Sequence, residues 1–297
     1  MSRTTWWPVL LVLIAIAGCA ATAPQSHREP DLGPTPAVRK DSDITLPLEA
    51  HQFSPDQKDK LGRAQDILIR DCAKRFGFDY PITTPPVGAQ HDRPFGLVNA
   101  EDAASTGYKN PVARAQVKLA DEAKAKAGEM LPELVAVLTG RGQQSHAGIA
   151  VPPGGCHGEA RRSLGRPDRP GAAPGSENFV TRLTQDVGKQ VEADSRLKAA
   201  FGSWRQCMSE SGYDYRDPWG PNDDPAFAGE TASAAERAAA VADVACRDRF
   251  NVTGIWAAVR LAYEKQAIER SADALRQHQH SVQKQLSKAA EVITGAK

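Results

Sequence analysis

The chain has 297 residues, 41% of them hydrophobic and 25% charged, with 37 Lys and Arg set against 36 Asp and Glu. A formal net charge of +1 leaves no basic excess from which a footprint for nucleic acid or acidic polymers could be built. Five cysteines turn attention instead to redox compartment and to disulfide or metal chemistry.

In chain order, the first element is the apolar run WWPVLLVLIAIAG, preceded by a single charged side chain, Arg3. It is too short to span a bilayer comfortably and has the charge, core and small-residue end of a secretory signal peptide over residues 1–18. The tetrad Ile16-Ala17-Gly18-Cys19 resembles a bacterial lipobox. That resemblance implies cleavage before Cys19 and diacylglycerol on its thiol, so that acyl chains hold the protein on the membrane. Residues 19–50, rich in Pro, Ser, Thr and charge, have little to bury and are expected to act as a flexible tether.

Ser54-Pro55 is a helix start, with an N-cap and a proline at the first helical position, and the helix is expected to reach about Phe76. It closes on a motif that the chain writes twice. Cys72-Ala-Lys-Arg-Phe-Gly77-Phe-Asp-Tyr80 and Cys207-Met-Ser-Glu-Ser-Gly212-Tyr-Asp-Tyr215 share Cys, four residues, Gly, aromatic, Asp, Tyr. Each copy follows helix-like sequence, so the glycine is expected to stop the helix in a left-handed cap with the next aromatic packed back on the last turn. Pro81, and Pro218 after Asp217, then oppose further helix. The alternative is a pair of pseudo-symmetric binding sites lined by Tyr80 and Tyr215.

Residues 80–108 are turn-rich and expected to be irregular. Helix resumes in two pieces over about 111–139, broken near 128–132, and a short one carries Cys156. The segment GRPDRPGAAPGS, 165–176, marks the internal boundary between a first half, 51–165, and a second half, 177–297. Helices are expected at 177–193, 196–211 and 232–249, then one long helix from Val252 to about Ile293. Along that helix Ile268, Ala272, Leu275, Gln279, Val282, Leu286, Ala289 and Ile293 alternate at spacings of 4 and 3, a heptad seam with a polar Gln279. The seam reads either as packing within the domain or as a contact for a partner helix. No useful strand alternation occurs, so the fold class is mainly α, with long irregular loops and a long C-terminal helix.

With Cys19 assigned to lipid, four cysteines remain in an exported chain, and none shows C-x-x-C metal spacing. Four cysteines allow three connectivities. One further cysteine follows each copy of the motif, which favours Cys72–Cys156 and Cys207–Cys246, one staple per half. No metal or other cofactor is expected. The seven histidines are scattered, and His278 and His280 sit two apart on a helix, pointing to different sides. They read as surface residues. No G-x-S-x-G, S-x-x-K or Gly-rich phosphate loop occurs. Trp204, three residues before Cys207, is expected to pack on its disulfide, whereas Trp219 is a candidate platform for stacking a sugar.

The run Ala238 to Leu275, the WRQCMSESGYDY segment before it and GGCHGEA around Cys156 resemble a group of actinobacterial, Streptomyces-type, cell-envelope lipoproteins. The resemblance implies an envelope lipoprotein and carries no activity over to this chain. The function expected is thus a non-enzymatic interaction or accessory protein on the outer face of the cytoplasmic membrane, contacting an envelope or transporter protein. A solute- or glycan-binding lipoprotein serving a transporter is the alternative, and a wall hydrolase a more distant one.

Overall fold

The computed structural model describes residues 28–80, 93–127, 130–142, 144–166, 171 and 173–296. Cys19 and the rest of the lipobox lie outside the described residues. Among the described residues ten α-helices carry the fold, α1 (Pro55–Arg75), α2 (Ala100–Thr106), α3 (Pro111–Ala127), α4 (Pro132–Thr139), α5 (Gly155–Ser163), α6 (Asn178–Ala193), α7 (Ser195–Glu210), α8 (Ala234–Arg249), α9 (Val252–Arg270) and α10 (Ala272–Gly295). Two-residue strands β1 (Ser145–His146) and β2 (Ile149–Ala150) pair as a small antiparallel hairpin. The mainly α reading is borne out.

α1 begins where its sequence says it should. The Ser54 hydroxyl accepts from the Gln57 amide at 3.2 Å and the Gln57 side chain accepts from the Ser54 amide at 3.1 Å, a closed capping box. One face buries Leu61, Ala64, Ile69, Cys72 and Ala73 at helical spacing. α2 falls in the stretch expected to be irregular. It is only seven residues long, too short for a periodic signal, and is started by Asn99, whose side chain accepts from the Glu101 and Asp102 amides.

α9 is the centre of the main core. It packs against α6 and α7 and buries residues around its circumference, including Trp256, Val259, Tyr263 and Ala267. A helix wrapped on several sides needs apolar residues on all of them, which hides the usual one-sided pattern. The α9–α10 rod expected to be continuous is broken at Ser271. Its backbone lies at φ −110°, ψ 16°, and Ser-Ala-Asp there restarts a helix with an acid in the first turn. The break lets α9 stay in the main core while α10 turns to lie along α1.

Two boundaries move. Residues 28–50, expected within the tether, are packed: Val38, Leu46 and Leu48 are buried in the main core. Each such side chain supplies about 1.5–3 kcal/mol of hydrophobic stabilisation. The Leu48 amide donates to buried Glu264 at 3.0 Å, which pins the segment to α9. The expected halves are also interlocked, because α1 packs on α10 and α2 on α8. Within the segment expected to mark the internal boundary, Gly175 is clamped by α10. Its amide donates to His278 Nδ1 at 3.0 Å and its carbonyl accepts from Gln285 Nε2 at 2.7 Å. Gly175 sits at φ +88°, and a Cβ there would come within 2.2 Å of the Ser281 hydroxyl, so only glycine fits. Glycine at this point marks a close contact between elements instead of a hinge.

Candidate functional site

Both copies of the motif form the same structure. After α1, the Phe78 amide donates to the Ala73 carbonyl at 3.1 Å and the Gly77 amide to Lys74 at 3.0 Å. After α7, Tyr213 donates to Met208 at 2.9 Å and Gly212 to Ser209 at 3.0 Å. This is the Schellman pattern, and Gly77 and Gly212 occupy left-handed φ of +81° and +87°. In each copy the cysteine lies one turn before the cap and forms a disulfide. Cys72 joins Cys156, and Cys207 joins Cys246, the pairing favoured by the sequence.

The two tyrosines are not brought together. Tyr80 is half-buried against the Cys72–Cys156 cluster, where burial and then the Asp66 carboxylate push its phenol pKa up. Tyr215 belongs to the Cys207–Cys246 cluster, stacks on Tyr213 and donates to Asp224 at 2.7 Å. Burial and that bond raise its pKa, while the same bond holds the Asp224 carboxyl below the usual range. Each phenol has a local structural task.

Trp219 does line a surface cavity, of about 380 Å³, between the end of α6, the outer face of α7 and the 216–219 loop. The loop is built by Asp217, whose Oδ1 accepts from the amides of Trp219 at 3.0 Å and Gly220 at 3.2 Å. One side of the Trp219 ring meets Trp256, with centroids 4.2 Å apart, and Phe201 presents its edge at 6.3 Å. Lys198, Phe201 and Arg205 form one stripe of α7 along the cavity, and Arg216 closes it from the loop. Arg205 Nε donates to the Arg216 carbonyl at 3.0 Å, which fixes stripe to loop. Asp217 and Glu192 are the cavity's carboxylates.

Behind this cavity lies a buried charge lock that the sequence reading did not find. Asp243 and Arg247, one turn apart on α8, are 0% and 2% exposed. Asp243 Oδ1 accepts from Arg247 Nε at 2.6 Å and from the Trp204 indole at 2.7 Å. Arg247 also donates to the carbonyls of Phe95 at 2.8 Å and Pro218 at 3.2 Å. It thereby ties α8 to the residue next to Trp219. The Tyr108 phenol stands beside the lock, its pKa driven far up by burial and the Asp243 charge. Trp204 is fully buried within the Cys207–Cys246 cluster, as expected. The available signal for the lock was the Asp-x-x-x-Arg spacing on α8, which reads equally well as a surface ion pair.

The C-terminal seam faces inward. Leu275 and Val282 are buried; Ile268 packs on the main core, and Leu286 and Ile293 pack on the cluster of Leu61, Ala64 and Leu164. Val282, Leu286, Ala289 and Ile293 form the contact of α10 with α1, Ile268 and Leu275 belong to the main core, and Gln279 alone of the seam is exposed, beside His51. His278, read as a surface residue, is 1% exposed between Phe53 and Phe179. Its Nδ1 accepts from the Gly175 amide, which places the proton of the neutral ring on Nε2. Burial holds its pKa below the ordinary histidine value. Beside it a shallow depression of about 470 Å³ is lined by His51, Gln279 and His280, with Gln279 3.2 Å from His51 Nδ1. Among the described residues, no three His, Cys, Asp or Glu side chains are grouped to hold a metal ion, and no helix is long and apolar enough to cross a membrane.

The first described residues are fastened at the α6–α7 corner, between Glu192 and Lys198 of the cavity. The Glu29 carboxylate accepts from the Ser195 amide at 2.6 Å and hydroxyl at 2.7 Å, and Arg196 donates to the Pro30 carbonyl at 2.8 Å. Arg196 also pairs with Asp194 at 2.7 Å. Burial alone would raise the Asp194 pKa, but the Arg196 bonds pull it below the usual carboxylate range. The α6–α7 corner is thus the point at which the chain leaves toward its N-terminus. No family model, curated protein or solved structure matches this chain.

Proposed function

We propose that the protein is an extracytoplasmic lipoprotein, anchored through Cys19, that acts as a non-catalytic interaction or accessory protein of the cell envelope. The observation that carries this reading is the pair of disulfides in a chain whose remaining cysteine stands in the Ile16–Cys19 tetrad. Disulfides persist outside the reducing cytosol, and a lipobox thiol is consumed by acylation. The buried charges support the non-catalytic part, since Asp243, Arg247, Glu264 and Asp194 are engaged in joining elements of the fold. With the α10 seam buried, contact with an envelope or transporter protein falls to other surfaces.

The Trp219 cavity favours a second reading, in which the protein binds a solute or glycan for a transporter. Two measurements test these together. Intact-mass and peptide analysis of the protein from membranes should find diacylglycerol on Cys19, with Cys19→Ser released to the medium. In-situ crosslinking in the native envelope should then recover one recurrent protein partner. An unmodified Cys19 removes the anchor, and crosslinks to glycan alone move the second reading to first place.

A further inference from the structure

The chain that could separate the domain from its anchor is short. Glu29 and Pro30 are fastened at the α6–α7 corner, and ten residue steps separate Cys19 from Glu29. Whatever their conformation, ten steps reach at most about 35 Å. On the reading that Cys19 is lipidated, that corner is the part of the domain tied within this reach of the bilayer. Glu192 and Lys198, which flank the corner on either side, also line the Trp219 cavity. The cavity therefore lies at the membrane-proximal end of the molecule.

Its chemistry suits that position. Lys198, Arg205 and Arg216 surround Trp219, and none of them is paired with a carboxylate among the described residues. The Arg205 bond to the Arg216 carbonyl uses one of five guanidinium donors. Of the two carboxylates, Asp217 has one oxygen committed to backbone amides, and Glu192 stands exposed at the mouth. Indole rings favour the headgroup level of a bilayer, and basic side chains are drawn to anionic lipid within a Debye length of the surface. We propose that the Trp219 cavity seats the phosphate of an anionic phospholipid headgroup in the bilayer that carries the protein's own anchor. Arg205, Arg216 and Lys198 contact the phosphate, and Trp219 lies against the glycerol region. This docking rests on the lipoprotein reading and adds to it a fixed orientation of the domain.

The test uses acylated protein in vesicles of phosphatidylcholine alone or with about 30 mol% phosphatidylglycerol, plus a trace lipid carrying a headgroup quencher. Trp204 and Trp256 are 0% and 4% exposed, so quenching reports Trp219. Expected is an increase of about twofold or more with phosphatidylglycerol, reversed by about 0.5 M salt. Arg205→Ala with Arg216→Ala should require on the order of 10- to 30-fold more anionic lipid for the same quenching. Lys198→Glu, exposed on α7, should act in the same direction with an unchanged melting temperature. Quenching indifferent to phosphatidylglycerol, or to these variants, overturns the proposal. So does abolition by millimolar glycerol phosphate, which would assign the cavity to a soluble phosphate, and so does a response found only in native envelopes, which would assign it to a protein. Mass analysis of Cys19 separates the two levels. An unacylated thiol sinks the anchor, whereas an acylated chain with lipid-indifferent Trp219 sinks only the headgroup site.

Discussion

The Asp243–Arg247 lock makes the sharpest stability prediction. Asp243→Ala leaves the Arg247 guanidinium buried without its counter-charge and takes the acceptor from the Trp204 indole. Breaking a buried pair from one side costs about 3–5 kcal/mol. Arg247→Met should cost a similar amount, because it leaves Asp243 charged and removes the donor from the Phe95 and Pro218 carbonyls. The double variant leaves no uncompensated charge. It should cost about 3–5 kcal/mol as well, instead of the sum, so the coupling is about 3–5 kcal/mol. Urea titrations followed by circular dichroism, with both disulfides oxidised, measure all three. Since Arg247 holds Pro218, both Arg247 variants should also red-shift Trp219 emission below the unfolding transition, while Asp243→Ala should do so less. Additive costs, or an Asp243→Ala effect below about 1 kcal/mol, would refute the view that the pair acts as one buried unit.

Other expectations follow from the same contacts. The disulfides span sequence separations of 84 and 39, for which loop-closure entropy gives about 4.5 and about 4 kcal/mol. Thermal melts of Cys72→Ala/Cys156→Ala and Cys207→Ala/Cys246→Ala should each fall by many degrees, and an unchanged midpoint in either would show that staple to be dispensable. Gly77→Ala and Gly212→Ala meet open space but must hold φ of +81° and +87°, so each should cost about 1–2 kcal/mol by denaturant titration. For His278, burial keeps the folded-state pKa below its unfolded value near 6.5. The unfolded chain thus binds the proton first, and stability is complete at neutral pH and falls as the pH drops through about 6.5. His278→Asn should lower stability at pH 7.5 yet lose less between pH 7.5 and 5.5. Equal losses in variant and wild type would place that pH dependence elsewhere, with His157, also shifted down by burial, the next group to change.

Local signals were legible where one stretch of chain decides the outcome. Ser54-Pro55 starts a helix, Gly77 and Gly212 end two, and the order of cysteines along the chain favoured the correct staples. What could not be read depends on residues far apart. Leu46 and Leu48 look like isolated apolar residues in a polar segment until Glu264 on α9 accepts the Leu48 amide. The heptad seam is real, but period alone does not say whether the facing helix belongs to the same chain, and here it is α1. His278 is buried because Phe53, Phe179 and Gly175 converge on it from three separate segments, and two-residue spacing from His280 says nothing of that. Trp219 was chosen for being an aromatic in a loop. Its neighbours, Lys198 and Arg205 two turns of α7 apart, were equally visible but had no visible reason to face it.

The doubled motif explains how its second copy prepares a cavity. Both copies stop a helix, cap it and fasten it by a disulfide, so the helix end is fixed and the following chain starts from a fixed direction. In the second copy that chain is fixed three more times: Tyr215 to Asp224, the Asp217 turn, and Arg247 to Pro218. Cys246 of the staple and the Asp243–Arg247 lock lie on the same helix, α8, so the restraints act on one body. Trp219 and Arg216 are consequently ordered without any ligand, and the entropy of arranging them is not charged against binding. A cavity prepared in this way suits a weak, repeated contact such as a lipid headgroup, where little binding energy is available to organise a loop. It also ties the proposed headgroup contact to oxidation. Opening Cys207–Cys246 removes the covalent tie between α7, which carries Lys198 and Arg205, and α8, which holds the Trp219 loop, and leaves the Trp204–Asp243 bond and side-chain packing to hold them. Headgroup quenching should therefore be lost in the Cys207→Ala/Cys246→Ala protein at temperatures where its helices remain folded. If quenching survives there, the lock alone holds the loop, and the second copy of the motif serves stability only.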